Sequence, residues 1–237
     1  MTWQVTFKIH RYRPGESRRV DAFQVELDPE RTVLDGIEKI WAEQDRTLTF
    51  RHACHHASCG SCGIVVNGIE MLPCIVELRQ VVSDGGTLEV SPLRNFPVVS
   101  DLVVDMGPLF EGMQRVGMPI VGPTDPLPGQ VVEEGGYHAF ENCIECGMCL
   151  SACPIVATDP AYMGPAALAA AMRIAETGRE SLNHVLDLVD NDKGIWRCHV
   201  AYECTAVCPS NVDPGSKIMW LRRRAVGQRI KRFFGIG

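Results

Sequence analysis

Cys143-Ile144-Glu145-Cys146-Gly147-Met148-Cys149-Leu150-Ser151-Ala152-Cys153-Pro154 is a C-x2-C-x2-C-x3-C-P run, and its reading decides how the second half of the chain folds. The spacing is that of a bacterial-type iron–sulfur run. Three of its cysteines hold one [4Fe–4S] cluster and the fourth ligates the other cluster of a pair. A partner run is therefore required downstream. It stands at Cys198, Ala201, Cys204 and Cys208-Pro209, with the spacing intact and alanine in the middle ligand position.

That departure sets the expected ligand count. Cys143, Cys146, Cys149 and the distant Cys208 make a full set for [4Fe–4S]. Cys198, Cys204 and the distant Cys153 make only three, so a [3Fe–4S] cluster is expected at the second site. The alternative is a labile [4Fe–4S] with water or another ligand at the Ala201 corner.

Working outward, Cys54, Cys59 and Cys62 follow C-x4-C-x2-C, with Cys74 eleven residues further on. This is the plant-type [2Fe–2S] spacing with a distant fourth ligand. The small residues between them (Ala57, Ser58, Gly60, Ser61) let backbone N–H groups approach a negatively charged core closely. A Rieske centre fits poorly, because only Cys54-x-His56 carries half of its pattern. A structural zinc site would show two knuckles, and only Cys59-x2-Cys62 is present. His52, His55 and His56 are read as loop residues without a role. Four, four and three ligands account for all eleven cysteines of the 237-residue chain; buried, inert thiols are the alternative.

Composition agrees with this reading. An odd cysteine count without a leader-like start argues against a secreted disulfide framework and for a reducing compartment. A net charge of -6 argues against nucleic acid as the main partner. No apolar run approaches the roughly 20 residues needed to span a bilayer.

Val5, Phe7 and Ile9, then Phe23, Val25 and Leu27, alternate with polar residues and predict a hairpin. Thr32 begins a helical pattern with apolar Val33, Leu34, Ile37, Ile40 and Trp41 on one face and Asp35 at the capping-box position. Asn67-Gly68 predicts a second hairpin after Ile64–Val66. The second half reads as helical over 166–175, 182–189 and 218–230. The Pro- and Gly-rich stretch between reads as a connection. The expected organisation is a [2Fe–2S] domain over 1–105, a linker over 106–135 and a helical two-cluster domain over 136–237.

Three clusters conduct single electrons. The chain shows no GxGxxG fingerprint, no P-loop and no convincing nucleophile–base pair, so no catalytic residue is expected here. From Pro214 onward there are seven basic side chains (Lys217, Arg222, Arg223, Arg224, Arg229, Lys231, Arg232) and no acidic one. The other 213 residues carry 16 basic and 29 acidic side chains, a balance of -13. With Trp220, Phe233 and Phe234 interleaved, this tail suits a helix meeting anionic headgroups or a membrane subunit. A solvated basic helix end is the alternative.

The cluster order resembles the iron–sulfur subunit of succinate dehydrogenase and fumarate reductase over nearly the whole chain. Pro92-Leu93-Arg94-Asn95-Phe96-Pro97-Val98, Asp101-Leu102-Val103-Val104-Asp105, Gly164-Pro165-Ala166-Ala167 and Val212-Asp213-Pro214 carry the resemblance beyond the cysteines. It implies an α+β chain with an N-terminal β-grasp [2Fe–2S] ferredoxin-like domain and an α-helical two-cluster ferredoxin domain. It also implies a flavoprotein partner with FAD, a membrane anchor that often carries haem b, and a quinone held where the two subunits meet. The implied place is peripheral, on the cytoplasmic face of the bacterial inner membrane.

By the same resemblance His199 matches a quinone-proximal histidine of ubiquinone-linked enzymes. Thr158 stands where those enzymes have tryptophan, and 154–160 looks more like fumarate reductases, so menaquinone is preferred. The iron–sulfur part of a related soluble fumarate or heterodisulfide-type reductase is the rival; such chains usually carry a further cysteine-rich C-terminal domain.

Overall fold

A computed structural model describes residues 2–118, 142–178 and 180–235. Strands β1 (Trp3–Arg11) and β2 (Arg19–Leu27) form the expected antiparallel hairpin, with Val5 opposite Val25 and Phe7 opposite Phe23. Helix α1 (Val33–Glu43) starts at Thr32, whose side chain accepts from the Asp35 N–H while Asp35 accepts from the Thr32 N–H. Both orphan donors are thereby satisfied. β3 (Ile64–Val66) and β4 (Ile69–Met71) flank Asn67 and Gly68, both at positive φ (49° and 83°), as a type I′ turn requires.

The sheet order is β2-β1-β5-β3-β4, with β5 (Thr87–Ser91) parallel to β1 and antiparallel to β3. Short α2 (Leu78–Val81) precedes β5, and β6 (Val98–Ser100) pairs with β7 (Val103–Val104) beyond it. One core lies between this sheet and α1, from Val5, Phe7 and Ile9 to Ile37, Ile40, Leu88 and Val90.

The helical half follows. α3 (Gly107–Arg115) precedes the undescribed stretch; α4 (Met148–Ser151), α5 (Pro154–Thr158), α6 (Pro165–Glu176), α7 (Leu182–Val189), α8 (Glu203–Ala206) and α9 (Pro214–Phe233) come after it. α6 touches α3, α4, α7 and α9. Its buried face is mostly alanine (Ala166, Ala167, Ala169, Ala170, Ala171), which lets four neighbours approach one helix. Among the described residues no helix is long and apolar enough to cross a membrane.

The linker read over 106–135 needs correction at its start. Residues 107–115 are helical, with Pro108 in the first turn and Leu109, Gly112 and Met113 buried. The Cβ-free edge of Gly112 faces the Met163 carbonyl and Ala167, so the glycine that reads as a breaker is a close-packing position. The remainder of that linker, from 119, lies outside the described residues.

The two halves share a second core, which runs from Leu34, Cys62, Val65 and Leu72 through Leu93 and Phe96 to Met148, Leu168 and Ile218. A polar clamp reinforces it. Arg94 donates three guanidinium bonds to buried Glu70 (2.7–3.0 Å), and the Ser151 hydroxyl donates to the same carboxylate at 2.7 Å. The Asn95 amide, on a backbone at φ 64°, donates to the carbonyls of Leu150, Ser151 and Cys153 at 2.8–3.1 Å. Those carbonyls lie between the end of α4 and the start of α5, where few helical N–H groups are available to them.

Candidate metal centres

Cys54, Cys59 and Cys62 of the first set lie on the loop between α1 and β3, and Cys74 lies in the turn between β4 and α2. Cys54 Sγ accepts from the backbone N–H groups of His56, Ser58 and Cys59 at 3.3–3.5 Å. Positive φ at His55 (59°) and Ala57 (60°) turns these N–H groups inward. They hold the Cys54 thiol down at about 7, the His56 N–H contributing most. Cys54 and Cys59 contact each other on the exposed side. Cys62 and Cys74 contact each other inside, where burial and the neighbouring Cys74 push Cys62 up to about 12. The first set therefore presents two pairs, one outer and one inner.

The second set surrounds a cavity lined by Cys143, Cys146, Cys149 and Cys208, with Leu109, Ala166, Ala169 and Val212 on its apolar walls. Burial raises Cys143, takes Cys146 to about 11 and raises Cys149 most strongly. The Val212 N–H points at Cys208 Sγ at 3.3 Å. A smaller cavity is lined by Cys153, Cys198 and Cys204 together with Tyr162, His199, Val200, Ala201 and Tyr202. The Val200 N–H points at Cys198 Sγ, and burial pushes Cys204 up to about 12.

The two runs repeat one local structure. After Cys143, positive φ falls at Glu145 and Gly147, and a four-residue helix begins five residues on. After Cys198, positive φ falls at Val200 and Tyr202, and a four-residue helix again begins five residues on. α4 packs against α8, so the halves face each other. In this register Cys149 matches Cys204, and Ala201 occupies the position of Cys146. Ala201 is exposed, on the outer rim of the smaller cavity.

The donor sets suit multi-iron clusters rather than single ions. Four thiolates on one zinc at about 2.3 Å lie roughly 3.8 Å apart. Among the described residues no three cysteine sulfurs fall within 4.8 Å of one another. Buried thiols raised this far ionise only beside compensating positive charge, which metal supplies.

Tyr162 and Thr205 carry no signal that the sequence reading used, and Asp213 and Gly60, which it quoted, take contacts that it did not read. Buried Tyr162 hydrogen-bonds Cys198, and burial raises its phenol far above its ordinary value. Thr205 donates to Asp213 at 2.8 Å, and Asp213 caps α9 through the Ser216 N–H. Gly60 brings the first loop onto the second set: at φ 67°, its missing Cβ would lie 2.5 Å from the Ile144 carbonyl. His199 lies on the exposed rim of the smaller cavity, and Thr158 caps its own helix through bonds to the Pro154 and Ile155 carbonyls.

A five-stranded ferredoxin-type sheet joined through one core to a helical unit with paired cysteine runs defines a multi-cluster iron–sulfur electron-transfer protein. A family model for a 2Fe-2S iron-sulfur cluster binding domain matches residues 6–111, and one for a 4Fe-4S dicluster domain matches 139–212. The fumarate reductase iron-sulfur subunit of Mycobacterium tuberculosis is 34% identical over 97% of this chain and 96% of its own length. The succinate dehydrogenase iron-sulfur subunit of Paracoccus denitrificans is 32% identical over 93% of this chain and 87% of its own. A chain of the Mycobacterium smegmatis Sdh1 complex superposes with a TM-score of 0.78 at 25% identity, over 97% of this chain and 98% of that one. The chain belongs to the family of iron–sulfur subunits of fumarate reductases and succinate dehydrogenases.

Proposed function

We propose that this chain carries electrons between the FAD of a flavoprotein subunit and a quinone, menaquinone by preference, at a membrane anchor. Bound at the three cysteine sets, [2Fe–2S], [4Fe–4S] and [3Fe–4S] clusters supply one-electron redox chemistry. Cys54, Cys59, Cys62 and Cys74 hold the first, Cys143, Cys146, Cys149 and Cys208 the second, and Cys153, Cys198 and Cys204 the third.

The observation that carries this reading is contact order. The Gly60 loop of the first set lies against Ile144 and Cys146 of the second. Cys149 of the second lies close enough to Cys204 of the third for their charges to interact. The third ends at a rim of exposed His199, Val200, Ala201 and Tyr202. The chain's own residues thus make one continuous line of sulfur sites, entered at the exposed Cys54–Cys59 side and left at the His199 rim.

The alanine at 201 supports a three-iron occupant of the third site. Val200 and Tyr202 on the rim, nearby Trp196, and Phe233 and Phe234 at the end of α9 are exposed apolar side chains that suit an anchor subunit. Haem b, where present, belongs to that anchor, which would hold the chain peripherally on the cytoplasmic face of the inner membrane.

EPR of the purified complex tests the assignment. The expected spectra are a three-iron signal when oxidised and a [2Fe–2S] signal on reduction with succinate. Absence of the oxidised three-iron signal would refute the third-site ligand count. Turnover with ubiquinone analogues but not with menaquinone analogues would refute the quinone preference.

A further inference from the structure

Away from the cysteine sulfurs, Glu38 of α1 meets His52 and His55 of the first loop. Nδ1 of His52 lies 3.1 Å from Nε2 of His55 and 3.2 Å from Oε1 of Glu38, and Nε2 of His55 lies 3.3 Å from that same oxygen. The three atoms form a nearly equilateral triangle.

Hydrogen bonds cannot satisfy such a triangle. A donated hydrogen lies near the line between its two heavy atoms, so each edge needs its own hydrogen. If both imidazole nitrogens donate to Glu38, no hydrogen is left for the His52–His55 edge, and two like N–H dipoles stand side by side 3.1 Å apart. If only one carries a hydrogen, two lone pairs oppose each other on another edge. Oε1 of Glu38 is in fact sealed from solvent with no well-directed donor. A cation above the triangle satisfies all three lone pairs at once.

The edge lengths agree with that. Metal–ligand bonds of about 2.1 Å give edges of roughly 3.0 Å on an octahedral face and roughly 3.4 Å on a tetrahedral one. The observed 3.1–3.3 Å falls between them. We propose that Glu38, His52 and His55 form a binding site for a divalent transition metal ion of the zinc class, with two imidazoles and one carboxylate as ligands.

The ligands are held before any ion arrives. The His52 ring stacks on Phe50 with centroids 5.1 Å apart. The His55 ring stands edge-on to His52, fixed by its left-handed backbone at φ 59°. Glu38 sits on the capped helix α1. The three side chains remain 30–44% exposed, which leaves an entry path and positions for water ligands. Two histidines that read as plain loop residues thus tie α1 to the loop of the first cysteine set. Because His55 follows Cys54, a bound dication adds positive charge beside that set. On the reading proposed above, the ion raises the [2Fe–2S] reduction potential.

The experiment is zinc titration of the cluster-loaded protein after removal of adventitious metal with a mild chelator. The comparison is with the double variant His52→Gln/His55→Asn, since asparagine tolerates the left-handed backbone. The wild type should bind one more equivalent of Zn²⁺ than the double variant, and Glu38→Gln should weaken that equivalent at least tenfold. Co²⁺ should give a ligand-field band in the wild type alone. Unchanged visible absorption shows that the variants keep their clusters. Equal zinc stoichiometry in wild type and double variant overturns the proposal. Zinc uptake without a change in [2Fe–2S] potential leaves the site standing and overturns its effect on the first set. An absence of iron clusters counts against the function proposed above and leaves the zinc stoichiometry readable.

Discussion

Gly60 and Cys146 meet so closely that a Cβ on Gly60 would lie 3.0 Å from the Cβ of Cys146. This contact joins the loop of the first cysteine set to that of the second, and only glycine permits it. Its backbone at φ 67° would cost another residue roughly 1–2 kcal/mol, and the Ile144 carbonyl stands in the way as well.

Gly60→Ala should therefore separate the two loops. The expected result is a melting temperature lower by about 2–8 °C, at roughly 2–4 °C per kcal/mol for a chain of this size. Electron transfer from the first to the second set should slow in freeze-quench EPR. Unchanged melting and transfer would show that the loops do not depend on this approach.

Ala201 stands where Cys146 stands in the partner run, so Ala201→Cys supplies the missing fourth thiolate. On the three-iron assignment proposed above, the oxidised three-iron EPR signal should fall, and a signal typical of reduced [4Fe–4S] should rise in its place. Iron content should increase by about one per chain, by the ligand count of paired cubane runs. A wild-type spectrum unchanged by the substitution would place the fourth corner somewhere other than residue 201.

The clamp between the halves should respond asymmetrically. Glu70 has 2% of its side chain exposed, whereas Arg94 has 53%. Arg94→Ala strands a buried carboxylate and is expected to cost about 3–5 kcal/mol. Glu70→Gln lets Arg94 rehydrate and keeps an acceptor for Ser151, so about 1–3 kcal/mol is expected. Anaerobic denaturant unfolding of the two variants checks the order, and a reversed ranking would mean that Glu70 is not the buried partner.

Acid should weaken the N-terminal half through Arg11. Its fully buried guanidinium pairs with Asp45 at 2.6 Å, Asp21 at 3.0 Å and Asp101 at 3.1 Å. The Thr47 hydroxyl and then Arg11 hold Asp45 down at about 2. A lowered carboxyl contributes stability that is fully present above its unfolded value near 3.9 and is lost as pH falls to about 2. The stability advantage of wild type over Asp45→Asn should thus be constant above about pH 5 and shrink towards pH 2. Denaturant unfolding followed by fluorescence of Trp3 and Trp41, in a background with Trp196 and Trp220 replaced by phenylalanine, measures it. A gap independent of pH would contradict the ion pairing.

Much of this was legible in residue order. Local rules made the hairpins, because Val5, Phe7 and Ile9 alternate and Asn67-Gly68 accepts positive φ. They also made the start of α1, because Thr32 and Asp35 satisfy each other. Pro108 and Gly112 misled: read as breakers, they are a first-turn proline and a close-packing glycine, whose meaning depends on α6 lying opposite. Strand β5 pairs parallel with β1 across some 80 residues, and no local pattern announces a partner that far away.

Cysteine spacing by itself determined how many ligands each set can offer, because a loop wrapped round a cluster needs its sulfurs at set intervals. Tertiary structure alone decided where the sets lie relative to one another. The approach of Gly60 to Cys146, the Arg94–Glu70–Ser151 clamp and the Glu38–His52–His55 triangle each join residues from separate elements. Such contacts are made by packing after the local elements form, so side-chain distances show them and residue spacing does not.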